Sequence, residues 1–419
     1  MSTPESANAA GAAAVETEVV AVPAALPLGK LASLLGLVSG VQAVTLFMVL
    51  ALPTLATKAA PTFGVGAEAV GYQISLIYVV ASIFSGFSGL YVRRYGAATT
   101  SFAAVVAGGI ALVGFAIGNL FVAALCSIVA GLAYGITNPA ASQLLWRFAP
   151  PSRRNLIFAI KQTGTPLGGM LASLLLPVLS VWLGWQCAII ASTLLFAAVA
   201  IPLWLKRPEW DGDRDPGARI RGSLFNGVRA ALGHPTLRGL AIVGLSYACY
   251  QFCLFSFIVT MLVVDFEWSL IAAGWTATAM QIGGVSGRIG WSMLADRIGR
   301  GIELLIAIGV LSSALGFLVA SMTPAWSPVV MVAVLFAFGF CLVGWNGLYM
   351  AEVARAAGAE NVGVATGGVR VFTFAGIVMG PAAFATVYKL AGSYALTYGF
   401  FALVPLIGAA ALIPVLRSR

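Results

Sequence analysis

Long apolar segments follow one another along this chain from Leu31 onward, and most are separated by only a few residues. About 20 apolar residues are enough to cross the hydrocarbon core of a bilayer as an α-helix. The twelve segments cover residues 31–53, 68–92, 99–117, 119–147, 156–182, 185–205, 237–264, 269–295, 302–322, 327–354, 363–388 and 393–416. A composition of 60% hydrophobic and 9% charged residues excludes a set of soluble domains. The pattern therefore predicts an all-α polytopic membrane protein with twelve transmembrane helices.

The positions of the basic residues predict the orientation. Lysine and arginine fall mainly in loops on one side of the spans, and cytoplasmic loops carry such an excess. These loops hold Arg93, Arg94, Arg147, Arg153, Arg154, Lys206 through Arg238, Arg297, Arg300, Arg355, Arg417 and Arg419. We therefore place both termini in the cytoplasm of a bacterium and the spans in its inner membrane. The net charge of +9 then reflects topology, and we expect no nucleic-acid partner.

The longest hydrophilic stretch divides the spans into two groups of six. We predict a disordered cytoplasmic tail over 1–29, an N-terminal six-helix bundle over 30–205, a cytoplasmic central loop over 206–236 and a C-terminal six-helix bundle over 237–419. The loop ends in an expected amphipathic surface helix near 223–237. The five cysteines lie in apolar spans without metal spacing, so we expect no metal, cofactor or disulfide framework.

The two groups of six spans also repeat each other in sequence. The matched residues, at one constant offset, are Asn138 with Asn346, Arg147 with Arg355 and Gly168 with Gly376. The tripeptide Arg94-Tyr95-Gly96 likewise matches Arg297-Ile298-Gly299. Six-span repeats are typical of secondary transporters, which bind substrate between the repeats near the bilayer midplane.

Three cations lie inside the predicted spans: Lys161, Arg288 and Arg370. By helical rise, each is roughly 10–14 Å from the cytoplasmic boundary. None of the 14 acidic residues falls at that depth. An unpaired charge at the bilayer centre costs at least about 2.5–3.5 kcal/mol, and such groups usually line a water-filled pathway. Cations without a carboxylate therefore predict a site whose partner is an anion, because arginine and lysine both bind carboxylates.

Polar and aromatic residues near these cations complete the predicted substrate site. They are Asn138, Tyr247, Tyr250, Gln251, Gln281, Trp345, Asn346, Thr366 and Thr373. Gln281 lies two helical turns before Arg288, and Thr366 and Thr373 flank Arg370 on one face. Other interpretations stay open. Lys161 could extend to the cytoplasmic surface, Arg288 could be a gate residue that pairs with carbonyls at a helix end, and the aromatic residues could fill helix interfaces.

Two charged turns carry a family resemblance. The turn Asp296-Arg297-Ile298-Gly299-Arg300 follows the eighth span, and a degenerate copy, Gly89 to Gly96, follows the second. Together with the division into six and six spans, they resemble the major facilitator superfamily over nearly the whole chain from about residue 31. The resemblance implies two pseudo-symmetric six-helix bundles, the major facilitator fold. Two departures occur, since Arg93 stands where the family has an aspartate and Ser292 where it has a glycine.

The resemblance also implies roles for charged residues. Asp296, Arg297 and Arg300, with Glu352, would form a cytoplasmic latch, and Arg93 and Arg94 would belong to its degenerate first-half counterpart. The segments GRIGWSMLADR and FAIKQTGTPLGG are similar to those of bacterial cyanate-type permeases, and the chain is also similar to oxalate/formate exchangers. In the exchangers, basic residues of the eighth and eleventh spans hold the dicarboxylate. Arg288 and Arg370 match those positions.

The sequence therefore predicts a secondary active transporter of a small organic anion, a mono- or dicarboxylate, that works by alternating access and is not an enzyme. Two couplings fit it: a co-transported proton, or exchange against a second anion. We expect a monomer in the lipid bilayer. The alternatives are a proton-coupled exporter of drugs or neutral solutes and a non-transporting receptor. Drug exporters generally place a carboxylate inside a span, and a membrane enzyme needs a cluster of His, Asp or Glu at depth. The sequence has neither.

Overall fold

The structure is a computed structural model that describes residues 27–148, 150, 154–212, 214–217, 228–229, 232–357 and 362–417. The described helices are α1 Leu28–Thr54, α2 Ala56–Phe63, α3 Val70–Tyr95, α4 Ala97–Ala116, α5 Leu120–Phe148, α6 Arg154–Leu183, α7 Trp185–Trp210, α8 Pro235–Val264, α9 Leu270–Ile298, α10 Gly301–Ala320, α11 Pro328–Leu342, α12 Asn346–Ala357, α13 Val362–Ala391, α14 Tyr394–Phe401 and α15 Val404–Arg417. A short 3₁₀ helix, Ala67–Ala69, precedes α3. Most of the predicted tail and surface helix lies outside the described residues.

The chain is an all-α polytopic membrane protein, as predicted. Eleven helical segments of the described chain are long and apolar enough to cross a membrane. The remaining long helix, α9, has 29 residues and a length of roughly 43 Å, and it carries Arg288, Asp296 and Arg297. These polar residues lower its hydropathy without shortening it. Counting α9, twelve segments cross.

The predicted tenth span, 327–354, corresponds to one candidate membrane span, Pro328–Ala357, but the sequence did not predict the break inside it. Two helices, α11 and α12, make this span, and residues 343–345 between them form a turn. Gly344 lies at the break, where a Cβ atom would be 2.8 Å from Gly287 Cα and 2.2 Å from the Phe340 carbonyl oxygen. Only glycine allows this approach of the tenth span to α9. The short helix α2 was also missed, since its segment reads as a loop between two spans.

The repeat found in the sequence corresponds to repeated helix packing. A Cβ atom on Gly168 of α6 would lie 2.1 Å from the Ala43 carbonyl oxygen of α1. On the matching Gly376 of α13 it would lie 2.0 Å from the Leu245 carbonyl oxygen of α8. Small residues let membrane helices approach this closely. Helices α1–α7 form the first half and α8–α15 the second, and they meet mainly where α3 packs on α13 and α6 on α9.

The two halves are closed against each other at one end. We call the end that bears Arg93, Arg94, Arg297 and Arg300 the basic end, and the other the distal end. At the distal end, Ser75 Oγ donates to the Val378 carbonyl at 2.6 Å, and the hydroxyls of Tyr72 and Thr386 are 3.0 Å apart. Glu68 and Lys389 form an ion pair at 3.9 Å. These contacts all join the first half to the second.

Candidate binding cavity

A cavity of about 850 Å³ lies between the two halves. Its lining comes from α1, α3, α5 and α6 of the first half and from α8, α9, α12 and α13 of the second. Met293 and Asp296, near the basic end of α9, belong to the lining, and the distal end is packed shut. The cavity therefore extends toward the basic end, which the positive-inside pattern predicts to be cytoplasmic. Its volume falls in the range of small-molecule sites.

Arg288 lines this cavity and contacts both halves. Its Nε donates to the Val343 carbonyl and its Nη1 to the Gln162 carbonyl, each at 3.4 Å. Val343 follows the last residue of α11, where the break leaves carbonyl groups without the usual helical partners. Gln162 belongs to α6 of the first half. Val343 is thus a helix-end partner of the kind that the sequence left open, whereas Gln162 is not, and the two bonds use only part of the guanidinium.

Lys161 is only 1% exposed and does not extend to the surface. Its ammonium donates to Asn138 Oδ1 at 2.5 Å, to Ser142 Oγ at 2.9 Å and to the Asn138 carbonyl at 3.3 Å. Both acceptor residues belong to α5, in the same half. A lysine has three N–H donors, so these bonds can use all of them. Lys161 is not among the residues that line the cavity.

Arg370 lies on α13, is half-buried and is not among the residues that line the cavity. It interacts electrostatically with Lys161 across the two halves, and also with Tyr134 and Tyr349. Thr373, one turn away, does line the cavity, whereas Thr366 does not. Of the three predicted cations, Arg288 thus belongs to the described lining, and Lys161 and Arg370 do not.

The predicted amide and indole groups meet in one cluster. Gln251 Oε1 accepts hydrogen bonds from Trp345 Nε1 at 2.8 Å and from Asn346 Nδ2 at 3.4 Å. All three residues line the cavity, as does Gln281. Gln281 is 2% exposed, and no described residue donates to its Oε1. The break in the tenth span allows this cluster, since it turns Trp345 toward α8.

Tyr247 and Tyr250 do not reach the cavity. Both are fully buried in the second half, where the Tyr247 hydroxyl donates to the Leu305 carbonyl at 2.7 Å and the Tyr250 hydroxyl to the Tyr398 carbonyl at 3.0 Å. In α8, 89% of the most apolar window is buried. A helix that is apolar on every side gives no periodicity from which to choose the face that meets a cavity.

Sequence reasoning missed most of the aromatic lining. The missed rings are Tyr78, Tyr134, Phe252, Phe255 and Phe374. One signal was available for Tyr134, which lies one helical turn before the predicted Asn138. The phenylalanines have no comparable signal in the sequence, because in an apolar span they cannot be distinguished from packing residues.

The residues predicted to form a latch lie at the basic end. Asp296, Arg297 and Arg300 are exposed, and Asp296 lines the cavity. Glu352 is 1% exposed and pairs with Arg355. Its carboxylate also packs against Gly301, next to Arg300, where a Cβ atom would clash with it. The latch itself stays a prediction.

The first-half turn has other partners. Arg93 pairs with Asp215 of the central loop at 3.3 Å, and the Arg94 guanidinium lies 5.6 Å from the Tyr95 ring centroid. Neither arginine contacts the second half through a described hydrogen bond or ion pair.

Two six-helix halves, packed at one end and separated by a cavity at the other, are an arrangement typical of secondary transporters. The family model of the Major Facilitator Superfamily matches residues 32–381. The chain belongs to this superfamily. Its members are transporters, so the predictions of a transporter and of no enzyme are confirmed at that level.

Individual relatives are more distant. An uncharacterised MFS-type transporter of Mycobacterium tuberculosis is 27% identical over 307 residues, 69% of this chain and 64% of the relative. The match thus covers somewhat less than two thirds of that relative's length. A hexuronate transporter of Bacillus subtilis is 26% identical over 141 residues, 33% of each chain.

Solved structures share the fold. A POT family transporter in complex with 5-aminolevulinic acid superposes with a TM-score of 0.73 at 13% identity, over 93% of this chain and 96% of its own. A bacterial homologue of the lysosomal transporter Spinster, in an inward-facing and occupied conformation, superposes with a TM-score of 0.66 at 15% identity, over 93% of this chain and 97% of its own.

Proposed function

We propose that this transporter carries a small organic anion, a carboxylate, across the bacterial inner membrane by alternating access. The observation that supports this most is the Arg288 guanidinium in the wall of the cavity between the halves. Its two long hydrogen bonds use Nε and one N–H of Nη1. The other N–H of Nη1 and both of Nη2 have no acceptor among the described residues. That outer edge is the fork that binds a carboxylate with two parallel hydrogen bonds.

The surrounding charges favour an anion at this position. Lys161 and Arg370 belong to opposite halves, outside the described lining, and interact electrostatically with each other. The sequence has no carboxylate at the depth of the three cations. Asp296 is the acidic residue among the described lining, and it lies roughly 12 Å nearer the basic end than Arg288 by helical rise. A positive inner region with an acid only at the mouth suits a substrate that arrives from the basic end.

The same cations connect binding to the conformational change. Two cations about 10 Å apart repel by roughly 1.7 kcal/mol at an effective dielectric constant near 20. Because Lys161 and Arg370 belong to different halves, their repulsion opposes closure of the empty basic end. A bound carboxylate offsets this repulsion and replaces part of the contact between Arg288 and Gln162. Substrate thus favours the closed intermediate, as alternating access requires.

The relatives are compatible with an anionic substrate. The Bacillus subtilis relative is named for hexuronate, which is itself a carboxylate. The resemblance to oxalate/formate exchangers points in the same direction. The coupling is either co-transport of a proton or exchange against a second anion, and the orientation that we propose has both termini in the cytoplasm.

The proposal is tested by anion binding and uptake. Arg288→Gln should weaken carboxylate binding to the purified protein by about 10- to 100-fold, because a charge-assisted pair of hydrogen bonds is lost. Uptake into proteoliposomes should fall in parallel. Arg238→Gln, at an exposed arginine outside the cavity, is the matched control. Wild-type affinity and uptake in the Arg288 variant would mean that this arginine does not hold the substrate.

A further inference from the structure

The cavity combines one cation with a group of aromatic rings, and this combination narrows the class of ligand. Tyr134 of the first half and Phe252, Phe255 and Phe374 of the second touch the cavity. We propose that the substrate is a monocarboxylate whose aromatic ring is joined to the carboxylate by a short carbon chain. The inference rests on the proposed function, since it assigns the ligand class to the same site.

A single carboxylate fits the available cations. Arg288 is the cation among the described lining residues. Lys161 donates to Asn138 and Ser142, and Arg370 is not part of that lining. A second carboxylate would therefore enter the cavity without a cationic partner. Burying an unpaired carboxylate is strongly unfavourable. If the second carboxylate pointed to the basic end instead, it would approach the like charge of Asp296.

The aromatic rings are arranged to receive another ring. Tyr78, which also lines the cavity, has its ring centroid 5.2 Å from that of Tyr134 and 4.8 Å from that of Phe252, both near edge-to-face. Aromatic rings prefer such edge-to-face contacts at these separations. Because the tyrosines come from the first half and Phe252 from the second, a ligand ring at this place contacts both halves at once.

Several polar groups of the lining are already used within the protein, whereas Gln281 Oε1 has no donor among the described residues. Thr163 Oγ1 donates to the Ile160 carbonyl at 2.7 Å, and Ser292 Oγ donates to the Arg288 carbonyl at 2.8 Å. Their hydroxyl hydrogens are thus used within their own helices. Gln251 Oε1 already accepts two hydrogen bonds. Each hydroxyl of a sugar acid needs a partner once it leaves water, and an aromatic ring needs none.

The difference in depth between Arg288 and the aromatic rings sets the length of the ligand. Counted by helical rise from the basic ends of their helices, the rings lie deeper than Arg288, by about 3 Å for Phe374 and about 6 Å for Tyr134. The excess is about 10 Å for Phe252 and about 15 Å for Phe255. The ring therefore enters first, toward the closed distal end, and the carboxylate stays at Arg288. A chain of two or three carbons between ring and carboxylate fits this spacing.

The proposed class, an aromatic monocarboxylate, is tested by measuring ligand binding to the purified full chain in detergent. The probes are 3-phenylpropionate, its neutral amide 3-phenylpropionamide, succinate and glucuronate, compared by calorimetric titration. We expect 3-phenylpropionate to bind about 10-fold or more tighter than each of the others. If succinate or glucuronate binds more tightly, and does so only with Arg288 present, the aromatic class is overturned while the anion site stands.

Two further outcomes separate the inference from the proposed function. Equal binding of 3-phenylpropionate and its amide, unchanged in Arg288→Gln, overturns the anion site and the aromatic class together. No binding of 3-phenylpropionate overturns the aromatic class, whichever other anion binds.

Ring removal provides a second, independent measurement. Phe374→Leu and Phe252→Leu keep an apolar side chain but remove the ring, so affinity for 3-phenylpropionate should fall about 3- to 10-fold. Phe317→Leu is the matched control, because Phe317 is 46% exposed on α10, away from the cavity. Equal affinities in the cavity variants and the control would contradict the inference.

Discussion

The two halves of the molecule use their charged residues in different ways, and the two charged turns show it most directly. Both turns end in a glycine with a left-handed backbone, Gly96 at φ +93° and Gly299 at φ +70°, a conformation that other residues seldom adopt. The first turn lacks its own aspartate. Asp211 and Asp215 of the central loop contact it instead.

Asp211 is bound tightly to the first half. Its carboxylate accepts from the Ala98 backbone N–H at 2.7 Å and from the backbone N–H and hydroxyl of Thr99 at 2.8 and 2.6 Å. These groups form the first turn of α4, where a negative charge is favoured. Asp296 in the second turn lines the cavity instead. The first half therefore holds Lys161 and Asp211 in internal bonds, whereas Arg288 and Asp296 of the second half line the cavity.

The largest expected effect concerns Asp211. Asp211→Ala should lower the free energy of unfolding by about 2–4 kcal/mol, because a buried charge-assisted cap of α4 is lost. Asp296→Ala, at the exposed counterpart, should change it by less than about 0.5 kcal/mol. Chemical unfolding in mixed micelles measures both. Equal losses would show that the two turns are held alike and would remove the contrast between them.

The next effect concerns Lys161. Lys161→Met should lower the free energy of unfolding by about 1–3 kcal/mol, because it leaves the partly buried Asn138 Oδ1 and Ser142 Oγ without their lysine donor. In a double-mutant cycle, Ser142→Ala should then cost less than it does alone. Affinity for a carboxylate should change by no more than about 3-fold. A loss of affinity as large as that of Arg288→Gln would mean that Lys161 of the first half also holds the substrate. The contrast between the two halves would then be wrong.

Asp296→Asn should act on binding rather than on folding. At roughly 12 Å from Arg288, its charge opposes a bound anion by about 0.3–1.4 kcal/mol for effective dielectric constants between 80 and 20. Carboxylate affinity should therefore rise about 2- to 10-fold at low ionic strength. The gain should fade as salt screens the mouth of the cavity. Titrations at two salt concentrations check this, and a gain that does not depend on salt would contradict the electrostatic cause.

The smallest effect is expected at Arg93. The side chains of Arg93 and Asp215 are 65% and 48% exposed, and exposed ion pairs contribute little to stability. Arg93→Ala should lower the free energy of unfolding by about 0.5 kcal/mol or less. The Asp215 backbone N–H still donates to the Arg93 carbonyl, which the substitution leaves in place. A loss comparable to that of Asp211→Ala would make the arginine, and not the cap, the main anchor of the loop.

Much of this protein was determined by local sequence. The twelve spans follow from segment length and apolar content, and the paired packing of Gly168 and Gly376 was already visible as a repeat. The charged turns pointed to the family, which the family model confirms. The three cations without carboxylates led to Arg288, which lies in the cavity wall. These features are local, so one sequence is enough to find them.

Tertiary structure alone decided which residues share the cavity. Lipid and protein interior are both apolar, so a span such as α8 carries no polar face that would show where its neighbours lie. Only packing placed Phe252 in the cavity wall and Tyr247 behind it, and only packing gave Lys161 its acceptors on α5. The break at Gly344 likewise depends on the approach of α9. Contacts between distant segments settle such choices, and hydrophobicity along one helix does not encode them.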